Sequence, residues 1–127
     1  FRSVFSKRRN PFNHMTVMFD KKAILEVGNY QPLSGFEDYY LWARLLKAGY
    51  KGYNIQETLV YARTGKDMYA RRGGMKYLGS GLMGRYRIWK DGLGSVKDFI
   101  IVSCGHIFIS LLPNQLRGKF YQTQLRK

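Results

Sequence analysis

A chain of 127 residues with 45% hydrophobic and 16% aromatic content can bury a core of its own, holds no more than one domain, and is not a disordered polar segment. Its 22 Lys and Arg against 8 Asp and Glu leave a formal charge of +14, which calls for an anionic partner: nucleic acid, an anionic membrane surface or phosphorylated small molecules. The single cysteine, Cys104, excludes an internal disulfide framework and a cysteine-based zinc site, fits a reducing cytoplasmic setting and reads as a packing residue in an apolar run.

The opening "FRSVFSKRRNPFNH" has a basic stretch with no apolar segment after it, so no signal peptide is visible. It lacks an initiator Met and begins in mid-pattern, and the expectation is a truncated chain with material upstream. "HMTVMF", residues 14–19, is a β-prone run, after which Asp20 caps a short helix over "KKAILEV" that Gly28 stops. In "PLSGFEDYYLWARLLKAGY", Ser34 and Glu37 match an S-x-x-E capping box. Leu41, Trp42, Leu45 and Leu46 form one apolar stripe at helical spacing, and Gly49 supplies the stop.

"YKGYNI" and "TLVYA" read as two short strands, and "RTGKDMYARRGG" as a polar loop rich in arginine. A second helix runs from Met75 with Leu78, Leu82, Tyr86 and Trp89 on one stripe. Its glycines at 79, 81 and 84 make it dependent on close packing against a neighbour. "SVKD" caps a last helix, whose apolar stretch from Phe99 to Leu112 reaches only about 21 Å, short of the roughly 30 Å hydrocarbon core. The tail "NQLRGKFYQTQLRK" has an amphipathic basic composition suited to lying on an anionic leaflet.

The adjacent acids Glu37 and Asp38 are the candidates for chemistry. Glu37 has a structural reading as the capping-box acid. Asp38 adds only a few tenths of a kcal/mol of dipole complementarity to a helix already capped, which leaves it open for work as a general base. Phe36, Tyr39, Tyr40 and Trp42 could offer flat surfaces to a sugar ring, and core packing is an equal reading for Trp42.

The succession "RRNPFNHMTVMF", "GNYQPLSGFEDYYLWARLL", "NIQETLVYAR" and "YARRGG" resembles the C-terminal half of bacterial family-2 glycosyltransferases that build capsule, O-antigen and exopolysaccharide. The resemblance covers roughly residues 8–90. It implies an α/β fold, the C-terminal part of a Rossmann-like GT-A domain, with residues 1–92 as the acceptor and catalytic-base half. Residues 93–127 would follow as an apolar helix and basic tail in contact with a membrane surface.

By the same resemblance, Asp38 would deprotonate the acceptor hydroxyl in an inverting displacement, and Glu37 would position the loop and contact the acceptor. Arg71 and Arg72 are candidates for the diphosphate leaving group, since guanidinium groups pair well with phosphate; on a strongly basic chain they also read as an ordinary charged loop. Arg63 and His14 complete the candidate substrate-binding set with Trp42, and a lone histidine such as His14 also reads as a local hydrogen-bonding group. His106, in the last helix, is assigned no chemistry.

The implied partners are a nucleotide-sugar donor, a glycan or polyprenyl-linked acceptor, an anionic membrane at the cytoplasmic inner face, and an N-terminal nucleotide-binding module. A divalent metal is compatible with the family, but no D-x-D motif is present and its ligands are not in this chain. Two other readings stand beside this one. A basic nucleic-acid-binding module would use Lys7, Arg8, Arg9, Arg71, Arg72, Arg85 and Arg87, but it leaves the acidic pair unexplained and shows no nucleic-acid motif. The other is an inactive membrane-surface protein from a truncated gene.

Overall fold

The local stop and start signals explain most of the helices in the computed structural model, which describes residues 6–63, 74–113 and 115–116. A 3-10 turn at His14–Thr16 precedes α1 (Lys21–Glu26), α2 (Glu37–Lys47), α3 (Met75–Lys90) and α4 (Val96–Leu111). Asp20 caps α1 by accepting from the Lys22 amide at 2.8 Å. Gly28 (φ 85°) and Asn29 (φ 57°) then turn the chain in the left-handed region, with the Asn29 amide returning to the Ile24 carbonyl at 2.8 Å.

The helix α2 is the centre of the fold. Tyr39, Tyr40, Leu41, Trp42 and Ala43 are all buried, so the helix is covered on two sides rather than on one stripe. One side packs Leu41 and Trp42 with Ile24 of α1, joined by Phe12, Val17, Val27 and Leu45. The other packs Tyr39, Tyr40 and Ala43 with Ile88 of α3, joined by Leu33, Phe36 and Leu93. Leu41 is 0% exposed, and burying such a side chain contributes about 1.5–3 kcal/mol.

Polar bonds fix the orientation of α2. Arg44 donates to the Val27 carbonyl at 2.5 Å and to the Asn29 carbonyl at 2.6 Å, tying the helix to the end of α1. Its guanidinium also lies 4.7 Å from the centre of the Tyr40 ring. Towards α3, the Tyr40 hydroxyl donates to the Asp91 carboxylate and Lys47 donates to the Asp91 carbonyl at 2.5 Å.

The pair α3 and α4 forms a hairpin that depends on glycine, as the sequence suggests. A Cβ on Gly81 would stand 1.8 Å from His106 Nε2, and one on Gly84 would stand 2.5 Å from Phe36 Cγ. Ser95 and Asp98 make the expected capping box, in which Ser95 Oγ accepts from the Asp98 amide at 3.2 Å and Asp98 Oδ2 accepts from the Ser95 amide at 3.1 Å. Arg8 Nε donates to Asp98 Oδ1 at 2.6 Å and brings the N-terminal segment to the start of α4. The division drawn after residue 92 falls in the short connection between α3 and α4.

Three expectations are corrected. The α/β fold is not formed: the elements are helical, and no strand occurs among the described residues. "HMTVMF" begins as a 3-10 turn, with the Thr16 amide bonded to the Asn13 carbonyl at 3.1 Å, and residues 50–63 run without regular structure. Apolar, β-branched runs become strands only when a neighbour takes up their backbone donors and acceptors. Here the two segments face each other across a groove of about 760 Å³ instead of pairing. Asn54 Nδ2 donates to the Pro11 carbonyl at 3.0 Å, a side-chain link from the 50–63 segment to the chain just before the 3-10 turn.

The capping box at Ser34 is also absent. The N-cap of α2 is Phe36, without a side-chain cap, because Gly35 (φ 74°) and a Phe36 amide to Leu33 carbonyl bond at 2.8 Å turn the chain first. Cys104 is exposed rather than packed.

Candidate active site

Because α2 begins one residue before it, Asp38 sits in the first turn, where the free amides of a helix favour negative charge. Both of its oxygens are held. Oδ1 accepts from the Tyr39 amide at 2.7 Å and Oδ2 accepts from Asn10 Nδ2 at 2.8 Å. Asn10 belongs to the segment that precedes the 3-10 turn, and the bond fastens that segment to the acidic start of α2. Asp38 is half-buried, so its carboxylate is oriented yet accessible.

His14 and Tyr30 form a second pair. His14 Nε2 and the Tyr30 hydroxyl are 2.9 Å apart, and the two rings are tilted with centroids separated by 5.6 Å. Partial burial and then the charge of Asp38 raise the Tyr30 hydroxyl above its ordinary pKa, which places Tyr30 within electrostatic reach of the carboxylate. Two bonded pairs, Asn10 with Asp38 and His14 with Tyr30, thus come from separate stretches of chain, and the charge of Asp38 is felt at Tyr30. Burial raises the Tyr39 hydroxyl to about 12, with the charge of Arg85 acting the other way. It donates to the Ser6 carbonyl at 2.5 Å and so anchors the N-terminal segment from the buried side.

The other sequence candidates take different places. Glu37 is the first residue of α2, half-buried and next to Asp38. Trp42 is only 2% exposed, and its ring meets Phe12 edge-on at 5.8 Å, Phe19 at 6.2 Å and His14 at 6.4 Å. It supports the segment that carries His14 and turns no open face to solvent. Arg63 is exposed at the end of the 50–63 segment, with no hydrogen bond or ion pair to Glu37, Asp38 or His14 among the described residues. Arg71 and Arg72 lie outside the described residues.

Sequence reasoning missed Asn10 and Tyr30. Both lie inside the quoted motifs, Asn10 before Pro11 and Tyr30 after the Gly28–Asn29 turn, but nothing local signals the bond of Asn10 to Asp38 or of Tyr30 to His14. The groove of about 760 Å³ is a separate feature, lined by Met15, Met18, Phe19, Ile55, Leu59 and Val60 among others, and includes neither carboxylate of the acidic pair. Among the described residues no three His, Cys, Asp or Glu side chains come together as metal ligands.

The sequence is similar to those of bacterial glycosyltransferases. The chain is 42% identical over 123 residues to a UDP-Gal:alpha-D-GlcNAc-diphosphoundecaprenol beta-1,3-galactosyltransferase of Escherichia coli, a match that takes in 97% of this chain and 45% of that protein. It is 40% identical over 126 residues to an uncharacterized glycosyltransferase of Haemophilus influenzae, again 97% of this chain and 45% of the relative. An amylovoran biosynthesis glycosyltransferase of Erwinia amylovora is 40% identical over 76 residues, 60% of this chain and 29% of that protein. No family model matches, and no solved structure matches. The chain belongs in sequence with these bacterial glycosyltransferases and spans about half the length of the relatives from Escherichia coli and Haemophilus influenzae.

Proposed function

We infer that this chain is the acceptor-side, base-carrying part of an inverting, family-2-type glycosyltransferase of cell-surface polysaccharide synthesis. It acts together with a nucleotide-sugar-binding module in a longer protein, on a glycan or lipid-linked acceptor at a membrane surface. The observation that carries the reading is Asp38: a carboxylate in the first turn of α2, held at 2.8 Å by Asn10 in a chain related to glycosyltransferases. Asp38 takes the proton of the acceptor hydroxyl as that oxygen bonds to the anomeric carbon of the donor sugar. The bond from that carbon to the diphosphate breaks, and the nucleotide leaves with the electron pair.

Asn10 turns one carboxylate oxygen, and the Tyr39 amide fixes the other, so the base is oriented before the acceptor arrives. Glu37 stands beside it as the second acid for the acceptor, with His14 and Tyr30 at the rim and Arg63, Arg71 and Arg72 as the cations for phosphate. Trp42 contributes from below by supporting His14. The exposed apolar residues of the groove, including Met18 at 98% exposure, give the nucleotide-sugar module a surface to cover.

The relative from Escherichia coli supplies the probes. In the longer protein containing this chain, transfer from UDP-galactose to a GlcNAc-diphospho-lipid should fall by about 10²–10⁴-fold in Asp38→Asn, with donor binding retained. Turnover within a few-fold of the unaltered protein would remove Asp38 from the mechanism.

A further inference from the structure

A helix start that lacks a side-chain cap needs another restraint if a group in its first turn is to hold one position. The start of α2 is of this kind: its N-cap is Phe36, directly before Glu37 and Asp38, and no side chain caps it. The backbone bonds at this corner run from the Phe36 amide to the Leu33 carbonyl and from the Tyr40 amide to the Phe36 carbonyl, each 2.8 Å. Neither reaches beyond the turn and the helix itself. The Phe36 ring does. It lies against Gly84 of α3, where a Cβ would stand 2.5 Å from Cγ, 2.7 Å from Cδ1 and 2.9 Å from Cδ2. The Arg85 guanidinium is 5.6 Å from the centre of the same ring, and the Tyr39 ring is 6.4 Å away.

We propose that Phe36 and Gly84 are positioning residues for the base: the ring, seated on α3 where no side chain intervenes, sets where α2 begins and so how Asp38 faces the acceptor. Gly81 and Gly84 are both buried, one turn apart, and Gly81 is taken up by His106 of α4. The helix α3 is thus held to α4 at one glycine and meets the entry of α2 at the next. Asn10 turns the side chain of Asp38 through one of its oxygens, whereas Phe36 places the backbone that carries it. Relief of the 2.5 Å contact to an ordinary 3.4 Å would move the ring by about 0.9 Å. A misplacement of about 1 Å can cost on the order of 10²-fold in rate.

Because this role rests on Asp38 as the base, the variants are assayed in the longer protein containing this chain, with the same donor and lipid acceptor as Asp38→Asn and beside it. Gly84→Ala should lower kcat about tenfold with the donor KM held within about twofold. Gly79→Ala, on the same helix, should leave both unchanged, since its Cβ would meet nothing within 4 Å. Phe36→Leu loosens the seat instead of crowding it and should lower kcat about five- to tenfold. Together the two substitutions restore the volume, so the double variant should recover to within about threefold of the unaltered protein. In the Asp38→Asn background neither should change the residual rate by more than about twofold, since the group they position is gone.

Circular dichroism establishes that each variant is folded before its kinetics are read. The proposal is overturned by normal kcat in either Phe36→Leu or Gly84→Ala, or by a loss in Gly84→Ala that Phe36→Leu does not relieve. Losses of the same size in the Asp38→Asn background overturn it as well, because a merely structural role would give them. Should Gly84→Ala fail to fold, Phe36→Leu alone decides between a lowered and a normal kcat. Turnover within a few-fold in Asp38→Asn would remove the base and this role with it. A lost rate in Asp38→Asn beside normal kcat in the Phe36 and Gly84 variants would reject the positioning role and leave the base in place.

Discussion

Three glycines on α3 separate the effect of helix propensity from that of packing. A Cβ on Gly79 meets nothing within 4 Å, so Gly79→Ala should gain about 0.5–1 kcal/mol by removing backbone freedom from the unfolded chain. A Cβ on Gly81 would stand 1.8 Å from His106 Nε2, 2.3 Å from Cε1 and 2.6 Å from Cδ2, against the whole edge of the ring. Ordinary contact begins near 3.4 Å. The ring would therefore have to retreat by about 1.6 Å, and overpacking of that order costs about 1–3 kcal/mol.

His106 has little room to retreat. Its Nε2 lies 3.2 Å from the Tyr77 carbonyl, and its ring packs on Tyr77 at 4.9 Å. Even after the same propensity gain, Gly81→Ala should be less stable than Gly79→Ala by the overpacking cost of about 1–3 kcal/mol. Gly84→Ala should fall between the two, since the ring it meets at 2.5 Å belongs to Phe36, which is half-buried at the entry to α2 and can yield. Urea unfolding of the 127-residue chain, followed by circular dichroism with the slopes compared, measures all three. If Gly81→Ala proves as stable as Gly79→Ala, the close approach of α3 and α4 at His106 is wrong.

Asn10→Ala in the longer enzyme should lower kcat by about ten- to a hundredfold with little change in KM, because it releases one oxygen of the base without touching the donor. Asn10→Asp, which cannot donate to the carboxylate when ionised, should fail to restore the rate; normal kcat in either variant would refute the clamp. Burial, with the charge of Arg85, lowers the pKa of His106 below its ordinary value, while backbone bonds to Tyr77 and Leu78 act the other way. The folded chain thus binds a proton there less readily than the unfolded one, so stability is full above about pH 6.5 and declines as the pH falls below it. Thermal unfolding between about pH 7 and pH 5 should show that decline, and His106→Gln should remove it. Asp98, held below the usual carboxylate range by the Ser95 amide and then by Arg8, gives a separate loss only in more acidic solution. An unchanged slope in His106→Gln would assign the decline to other groups.

The helices were legible where their signals are local. Asp20 before α1, Gly49 after α2, and Ser95 with Asp98 before α4 act on amides and carbonyls within one turn, and each works as its spacing suggests. Ser34 marks the limit of that approach. The S-x-x-E pattern is present, yet Gly35 and the Leu33–Phe36 turn use the same residues differently, and α2 starts at Glu37. The strands failed for another reason. A β-prone run declares what it could pair with but not whether a partner is there, and residues 14–19 and 50–63 stand apart across the groove.

The site divides in the same way. Asp38 was singled out on a cap at Ser34 that is not formed, and what the structure adds is the bond from Asn10, which reaches Asp38 only through the path of the chain. Trp42 changes role for a related reason. An aromatic four residues beyond an acid on a helix looks alike in sequence whether it meets a sugar or a core, and burial on Leu41's side of α2 decides for the core. If a sugar ring meets an aromatic face near Asp38, that face must come from a residue outside α2. Tyr30 meets the requirement: it is 38% exposed, bonded to His14 and within reach of the Asp38 charge. In the proposed site the rim would then be built by the turn after α1, which Arg44 ties to α2 by donating to the carbonyl of Asn29 at 2.6 Å.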